Sequence, residues 1–220
     1  GGRVGGVPCS MGISGLLPLL KDIQHSTHVE AYRGKTLGID AYVWLHRGAY
    51  ACATDLALGR PTTRFITYAM HRIRMLQHYG VKPYVVFDGA QLPSKAGTER
   101  ERAARRREHR MRGLQFHTEK RTSAARDAFV RSVDITPALA YELIKQLRVH
   151  GIPYLVAPYE ADAQLAYLER HGIIDAIITE DSDLLVFGCN KVLFKLDTYG
   201  NCLEIDRARF DEVKQLSFEE

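Results

Sequence analysis

Four short apolar runs in this chain each lead to one or more carboxylates, seven in all. Thr36-Leu37-Gly38-Ile39 leads to Asp40, and Tyr84-Val85-Val86-Phe87 leads to Asp88. Tyr154-Leu155-Val156 leads through Ala157-Pro158-Tyr159 to Glu160 and Asp162, and Ala176-Ile177-Ile178-Thr179 leads to Glu180, Asp181 and Asp183. Carboxylates brought to one place repel unless a cation lies between them, so convergence of these run ends would make a divalent-metal site. Asp40, Asp88, Glu160, Asp162, Asp181 and Asp183 offer hard oxygen donors suited to Mg²⁺, with Mn²⁺ as a substitute. Two such ions about 4 Å apart can activate a water and stabilise the leaving oxygen in phosphodiester cleavage.

Spacing decides how each pair can be used. Asp181 and Asp183 are two apart just past an apolar run, and extended backbone would aim both to the same side. Glu160 and Asp162 would diverge by about 200° on a helix, so they converge only if Glu160 is still leaving the loop. Glu180, between its neighbours in an extended segment, faces away and is set aside. An acid after a strand is also a common helix N-cap, and each of these has that alternative reading. Four strand ends all carrying acids is a poor match to accident. Asp134, Asp175, Asp197 and Asp206 read as turn or cap residues.

Between Lys95 and Arg126 there are eleven Lys or Arg against four Asp or Glu, a local +7. The net charge is only +4, so the rest of the chain is near −3. A neutral-to-acidic body with one basic segment fits an anionic polymer as partner. Lys95 and Arg102 are seven apart, two helical turns, and share a face near the run end at Asp88; Arg105, Arg106 and Arg107 extend the charge. A basic run is commonly just a solvated helix, but this one starts seven residues after a candidate ligand, where it could hold a phosphate. Tyr42 and His46 share a helical face beside Asp40, and Tyr42 could stack on a nucleobase, the alternative being a half-buried aromatic. Trp44 points elsewhere, toward the core. His71, His78, His109, His117, His150 and His171 have no metal spacing, and neither a phosphate-binding P-loop nor a dinucleotide GxGxxG is present.

The elements that must position these groups follow from pattern. Hydrophobic residues make up 45% and charged residues 25% of 220 residues, ordinary for a globular α/β domain with a substantial core. Apolar runs alternate with helical stretches at about 41–53, 61–79, 137–150 and 162–171, which predicts a mostly parallel sheet with its site beyond the carboxyl ends of the strands. Residues 191–195 and 202–205 predict a hairpin around Tyr199-Gly200-Asn201. The basic segment 93–131 should be mostly helical. Residues 1–10 (GGRVGGVPCS) read as a disordered extension or cloning remnant, with Met11-Gly12 as a natural start. No run reaches the roughly 18 apolar residues of a membrane span, so no membrane partner is expected. Four scattered cysteines without a CxxC pair fit neither a zinc knuckle nor a disulfide framework.

Several stretches resemble the flap-endonuclease superfamily (xeroderma pigmentosum group G family) of structure-specific 5′ nucleases. They are Met11-Gly12-Ile13-Ser14-Gly15-Leu16-Leu17, Ile39-Asp40-Ala41-Tyr42, Val86-Phe87-Asp88-Gly89, Ala157-Pro158-Tyr159-Glu160-Ala161-Asp162-Ala163-Gln164 and Thr179-Glu180-Asp181-Ser182-Asp183. Trp44-Leu45-His46, Leu92-Pro93-Ser94-Lys95 and Leu184-Leu185-Val186-Phe187-Gly188-Cys189 are similar to its exonuclease-1 branch. The resemblance implies a Rossmann-like (PIN-like) three-layer α/β/α core carrying a basic helical arch over 93–131, with nuclease regions at 11–109 and 132–220. It implies that the six acids hold two Mg²⁺ ions and that Lys95 and Arg102 form a gateway around the scissile phosphate. Tyr42 would stack on the terminal base, His46 would sit in a wedge that bends duplex, Gly12 would lie near the active site, and Gly12, Arg105 and Arg106 would add to DNA binding.

The implied activity is a Mg-dependent 5′→3′ double-stranded DNA exonuclease with 5′-flap endonuclease activity, nuclear, acting in mismatch repair, recombination and replication. The family continues past Glu220 into a helix-two-turn-helix, a further metal-binding Asp and a C-terminal tail that binds mismatch-repair proteins. The chain is therefore expected to be a fragment, its acid cluster one carboxylate short. Two other readings stand beside this one: a catalytically impaired DNA-binding module, and a PIN-type ribonuclease sharing fold and acids.

Overall fold

The short apolar runs form the centre of one sheet. The structure, a computed structural model, describes Gly12, Ile13 and residues 15–213. The expectations for residues 1–10, for Met11 and for the chain's end at Glu220 lie outside the described residues. In chain order the elements are α1 (Leu16–Leu19), β1 (Gln24–His28), β2 (Thr36–Asp40), α2 (Ala41–Tyr50), α3 (Ala53–Ala57), α4 (Arg64–His78), β3 (Lys82–Phe87) and α5 (Ala96–Thr118). There follow α6 (Thr122–Arg131), α7 (Pro137–Val149), β4 (Tyr154–Val156), α8 (Ala161–Arg170), β5 (Ala176–Ile178), α9 (Asp183–Val186), β6 (Lys191–Phe194) and β7 (Asn201–Asp206).

Among the described residues the strands pair in the order β1-β7-β6-β5-β2-β3-β4. From β6 to β4 every pairing is parallel, while β7 runs antiparallel to β6 and to β1. The inner strands are buried on both faces, which is why they read as continuous apolar runs. Leu37, Ile39, Val85, Phe87, Ala176 and Ile178 join a core with residues of α2, α4 and α7. Val86, Ile177, Val192 and Phe194 join Leu165 and Leu168 of α8 on the opposite face. Helices therefore cover both faces, and the fold is the expected three-layer α/β/α arrangement. Each fully buried Leu, Ile or Phe contributes roughly 1.5–3 kcal/mol by leaving water.

Chain order explains where the site falls. From β2 the chain steps outward to β3 and β4, then returns to place β5 on the other side of β2. The reversal opens a crevice at the carboxyl ends of β2 and β5, flanked by the ends of β3 and β4. The acid-bearing strand ends are thus four adjacent positions on one sheet edge.

The sequence reading lacks strand β1: Gln-His-Ser-Thr-His gives no apolar alternation because it is a half-exposed edge strand. The basic segment is mostly helical as expected, and it divides into two helices after α5, where Lys120 takes a left-handed conformation (φ 57°). Within the 23-residue α5 only Gly113 is buried, whereas α6 puts Ala125, Ala128 and Phe129 into the body. The first turns of α5, the foot of the arch, are therefore exposed, while its C-terminal half is tied to the body by Leu114 and Phe116 against the core, Gly113 against Phe129 of α6, and Arg110 donating to Ala57 O.

Candidate functional site

Asp40 and Asp88 are each placed by backbone N–H groups that bond one carboxylate oxygen. Asp40 Oδ1 accepts from Tyr42 N (2.9 Å) and Val43 N (3.3 Å), capping α2, while Oδ2 faces the buried Thr179 hydroxyl at 3.5 Å. Asp88 Oδ1 accepts from Ala161 N at 2.7 Å and so caps α8, a helix 73 residues further along. Capping and convergence are therefore compatible, because each carboxylate caps through one oxygen and keeps the other. Gly89 N donates to Tyr159 O (2.6 Å) and Ala90 N to Pro158 O (3.0 Å). A Cβ at Gly89 would run into the carbonyls of Ala157 and Pro158, so this close approach of the two strand-end loops requires glycine.

Glu160 is extended (φ −85°, ψ 139°) at the N-cap of α8, and its side chain makes no capping bond there. It pairs with Lys95 instead. Asp162 lies in the first turn of α8. Asp181 and Asp183 are not in extended backbone, contrary to the sequence reading. Ser182 is helical (φ −75°, ψ −11°) and Asp183 opens α9. An Asx turn, Asp181 Oδ1 accepting from Asp183 N at 2.9 Å, brings the two together instead. Glu180 is turned away as expected: it pairs with Arg47 (3.0 Å) and accepts from Lys195 N (3.1 Å).

The electrostatics are those of acids held together against their preference. Burial, then the charges of Asp162 and Asp88, push Asp40 well above the usual carboxylate range. Asp162 is pushed up to about 7 by burial and by Asp181, Asp88, Glu160 and Asp183. Burial also raises Asp88 and Asp181, with Lys95 opposing both shifts and Arg102 opposing the second. Asp183 Oδ1 is buried without a hydrogen-bond partner, an oxygen that a cation would satisfy. The set fits hard divalent ions in chemistry but not yet in position. Among the described residues no three carboxylates, histidines or thiols stand together as a coordinating group. Glu160 is engaged by Lys95.

A pH dependence follows. Between about pH 4, where unfolded carboxyls titrate, and about pH 7, the raised acids Asp40, Asp88, Asp162 and Asp181 hold protons in the folded chain that the unfolded chain has lost, and they outnumber His46, whose lowered imidazole works in the opposite sense in the folded chain. Its stability without divalent ions must therefore fall as pH rises through this window. Calorimetry is expected to give a melting temperature several degrees lower at about pH 7.5 than at about pH 5.5, with excess Mg²⁺ restoring most of the difference. A metal-free chain that melts higher at the more alkaline pH would contradict this.

The cations and aromatics are distributed around the acids. Lys95 ends a 3-10 turn at the foot of α5 (Pro93–Lys95), and pairing with Glu160 raises its pKa. Arg102 is held by Glu99 (2.8 Å), Arg105 by Glu101 (3.5 Å), and Arg106 by Asp134 (3.4 Å) and Glu99 (3.9 Å). The arch is thus partly self-neutralised, and Asp134 is an ion-pair partner rather than the turn or cap residue expected. Asp175, Asp197 and Asp206 do hold backbone N–H groups as turn or cap residues. Tyr42 is half-buried, and burial followed by Asp88 raises its hydroxyl. His46 is pushed down to about 4 by burial and is neutral at physiological pH, near Asp134 and Arg106 at the arch base. Trp44 is in the core. Gly12 lies against Asp181 and Ser182. Sequence reasoning missed Thr179, Ser182, Glu99 and Asp134; the first two hydroxyls sit inside the acidic motif, but nothing local shows which way they point.

Sequence profiles for the XPG N-terminal domain and the XPG I-region match residues 11–109 and 151–219. The chain is 56% identical over 207 residues to Exodeoxyribonuclease 1 of Schizosaccharomyces pombe, covering 94% of this chain and 36% of that protein. It spans roughly a third of the length of the curated relatives it matches. The catalytic core of Rad2 in complex with DNA substrate shares the fold (TM-score 0.69, 23% identity, 92% of this chain and 55% of that one). So does the Holliday junction-resolving enzyme GEN1 in complex with product DNA and Mg²⁺ (TM-score 0.59, 21% identity, 91% of this chain and 42% of that one).

Proposed function

Since the chain belongs to the XPG family, we propose that it is a divalent-metal-dependent 5′→3′ DNA exonuclease with 5′-flap endonuclease activity. The observation that carries this reading is the convergence of mutually repelling, largely buried carboxylates at the adjacent ends of β5, β2, β3 and β4, with Lys95 among them. Asp40, Asp88, Glu160, Asp162, Asp181 and Asp183 would hold two Mg²⁺ ions, or Mn²⁺ in their place. The bound ions supply an activated water and Lewis-acid neutralisation of the phosphodiester.

The chain's own groups do the rest. Lys95 and Arg102, on the foot of the arch facing Asp181, hold the scissile phosphate and offset charge that develops on it. Tyr42, half-buried beside Asp40, presents a ring for the terminal base to stack on. His46, being neutral, contributes shape and hydrogen bonding rather than charge at the duplex bend. Arg105 and Arg106 exchange their arch carboxylates for backbone phosphates, which makes affinity salt-dependent. A nuclear location, a role in mismatch repair and mismatch-repair partners belong to the same reading.

The test is cleavage of 5′-recessed and 5′-flap DNA duplexes in Mg²⁺, beside RNA of the same sequence. Release of 5′-terminal nucleotides and flap products from DNA alone is expected. Binding without turnover would favour the impaired DNA-binding module, and preferential RNA cleavage the PIN-type ribonuclease.

A further inference from the structure

We infer that Ser182 is a positioning residue, a latch that fastens the Gly12–Ile13 main chain over Asp181 and thereby fixes the orientation of that carboxylate. The inference rests on the nuclease reading above. Ser182 stands at the N-cap position of α9, where a serine ordinarily bonds its own helix. Here its backbone is helical and its side chain makes no capping bond. Its hydroxyl, in a residue only 1% exposed, instead accepts from Ile13 N at 2.9 Å, 169 residues away in sequence. A buried hydroxyl is costly unless paired, so the bond holds the N-terminal segment in place.

What the segment presses on is Asp181. Gly12 has φ +88°, and a Cβ there would run first into the Ser182 hydroxyl and then lie 2.5 Å from Asp181 Oδ1 and 2.6 Å from Ser182 N. The same Oδ1 accepts from Asp183 N. Asp181 Oδ1 is thus flanked by Gly12 and held by its own Asx turn. Gly12 limits the space beside that carboxylate, and Gly12 is fastened through Ile13 to Ser182. Misplacement by about 1 Å at a reacting centre can lower rate by as much as about 100-fold, so loss of such a latch should appear in turnover.

Three proteins test this: Ser182→Ala, Gly12→Ala and the double variant, each compared with the unmodified chain. In Ser182→Ala the Ile13 amide is expected to exchange hydrogen about tenfold faster without DNA or metal, as befits one lost hydrogen bond. Its kcat on a 5′-recessed duplex should fall about tenfold with KM and DNA affinity nearly unchanged. Gly12→Ala displaces the segment directly and should cause a similar fall, and the double variant should be no worse than either single one, because both remove the same constraint. Unchanged Ile13 exchange in Ser182→Ala overturns the latch. So do losses that multiply in the double variant, or a fall in kcat matched only by a general loss of melting temperature. If the unmodified chain cleaves nothing, the nuclease reading itself fails. If it cleaves and Ser182→Ala cleaves equally well, only the role of Ser182 fails.

Discussion

Replacing Asp162 with asparagine is expected to slow DNA cleavage at saturating Mg²⁺ by a factor on the order of 10³ while leaving duplex affinity unchanged and raising the metal-free melting temperature. Asp162 is the acid most thoroughly surrounded by others. Asp181, Asp88, Glu160 and Asp183 all push its pKa in the direction that burial already does. Asparagine keeps the shape but removes a charge and one anionic donor, so the group that draws cations into the crevice is weakened at its centre. A thousandfold loss corresponds to about 4 kcal/mol of barrier, within reach of removing one donor from a metal-assisted reaction. The same change relieves repulsion in the protein without metal, where a gain of a few degrees is expected. Slower cleavage with higher stability is a combination that a purely structural carboxylate would not produce. Unchanged turnover, or a lower metal-free melting temperature, would count against the assignment.

Lys95→Ala is expected to lower kcat by about 10²–10³, the scale on which single electrophilic donors act. Arg102→Ala should cost less, because Arg102 already shares its charge with Glu99. Lys95 also makes a sharper prediction. Its ammonium pairs with Glu160 and lies in the field of Asp88, Asp162, Asp181 and Asp183. It therefore competes with divalent ions for the same carboxylates. The alanine variant should reach half-saturation at a lower Mg²⁺ concentration while turning over more slowly. Titrating Mn²⁺ into both proteins without DNA, by calorimetry, checks the affinity separately from the rate. Weaker ion binding in Lys95→Ala would show that Lys95 supports the acid cluster instead of competing within it.

The central parallel strands were legible in the sequence because they are buried on both faces, and so were the long helices between them. Asp40 and Asp88 were legible as strand-end acids, and Glu180 as the acid that turns away. Their caps did not have to be weighed against a functional role, since each carboxylate has two oxygens. What sequence could not show was contact across long separations. Asp134 reads as a turn residue until the fold places Arg106 against it; the pairs Glu99–Arg102 and Glu101–Arg105, by contrast, are three and four apart on one helix and legible from spacing alone. Strand β1 escaped notice because an exposed edge needs no apolar face. The geometry of Asp181 and Asp183 was misread because period-2 reasoning assumes extended backbone, and α9 begins between them.

The most direct measurement is cleavage of a 5′-labelled recessed duplex by the unmodified chain and by Asp181→Ala, each with Mg²⁺ and with a chelator in excess. Product that forms only in the unmodified chain with Mg²⁺, while Asp181→Ala still binds the duplex, is the expected result. Cleavage that survives chelation, or that proceeds in Asp181→Ala at the unmodified rate, would contradict a metal-dependent nuclease site at these strand ends.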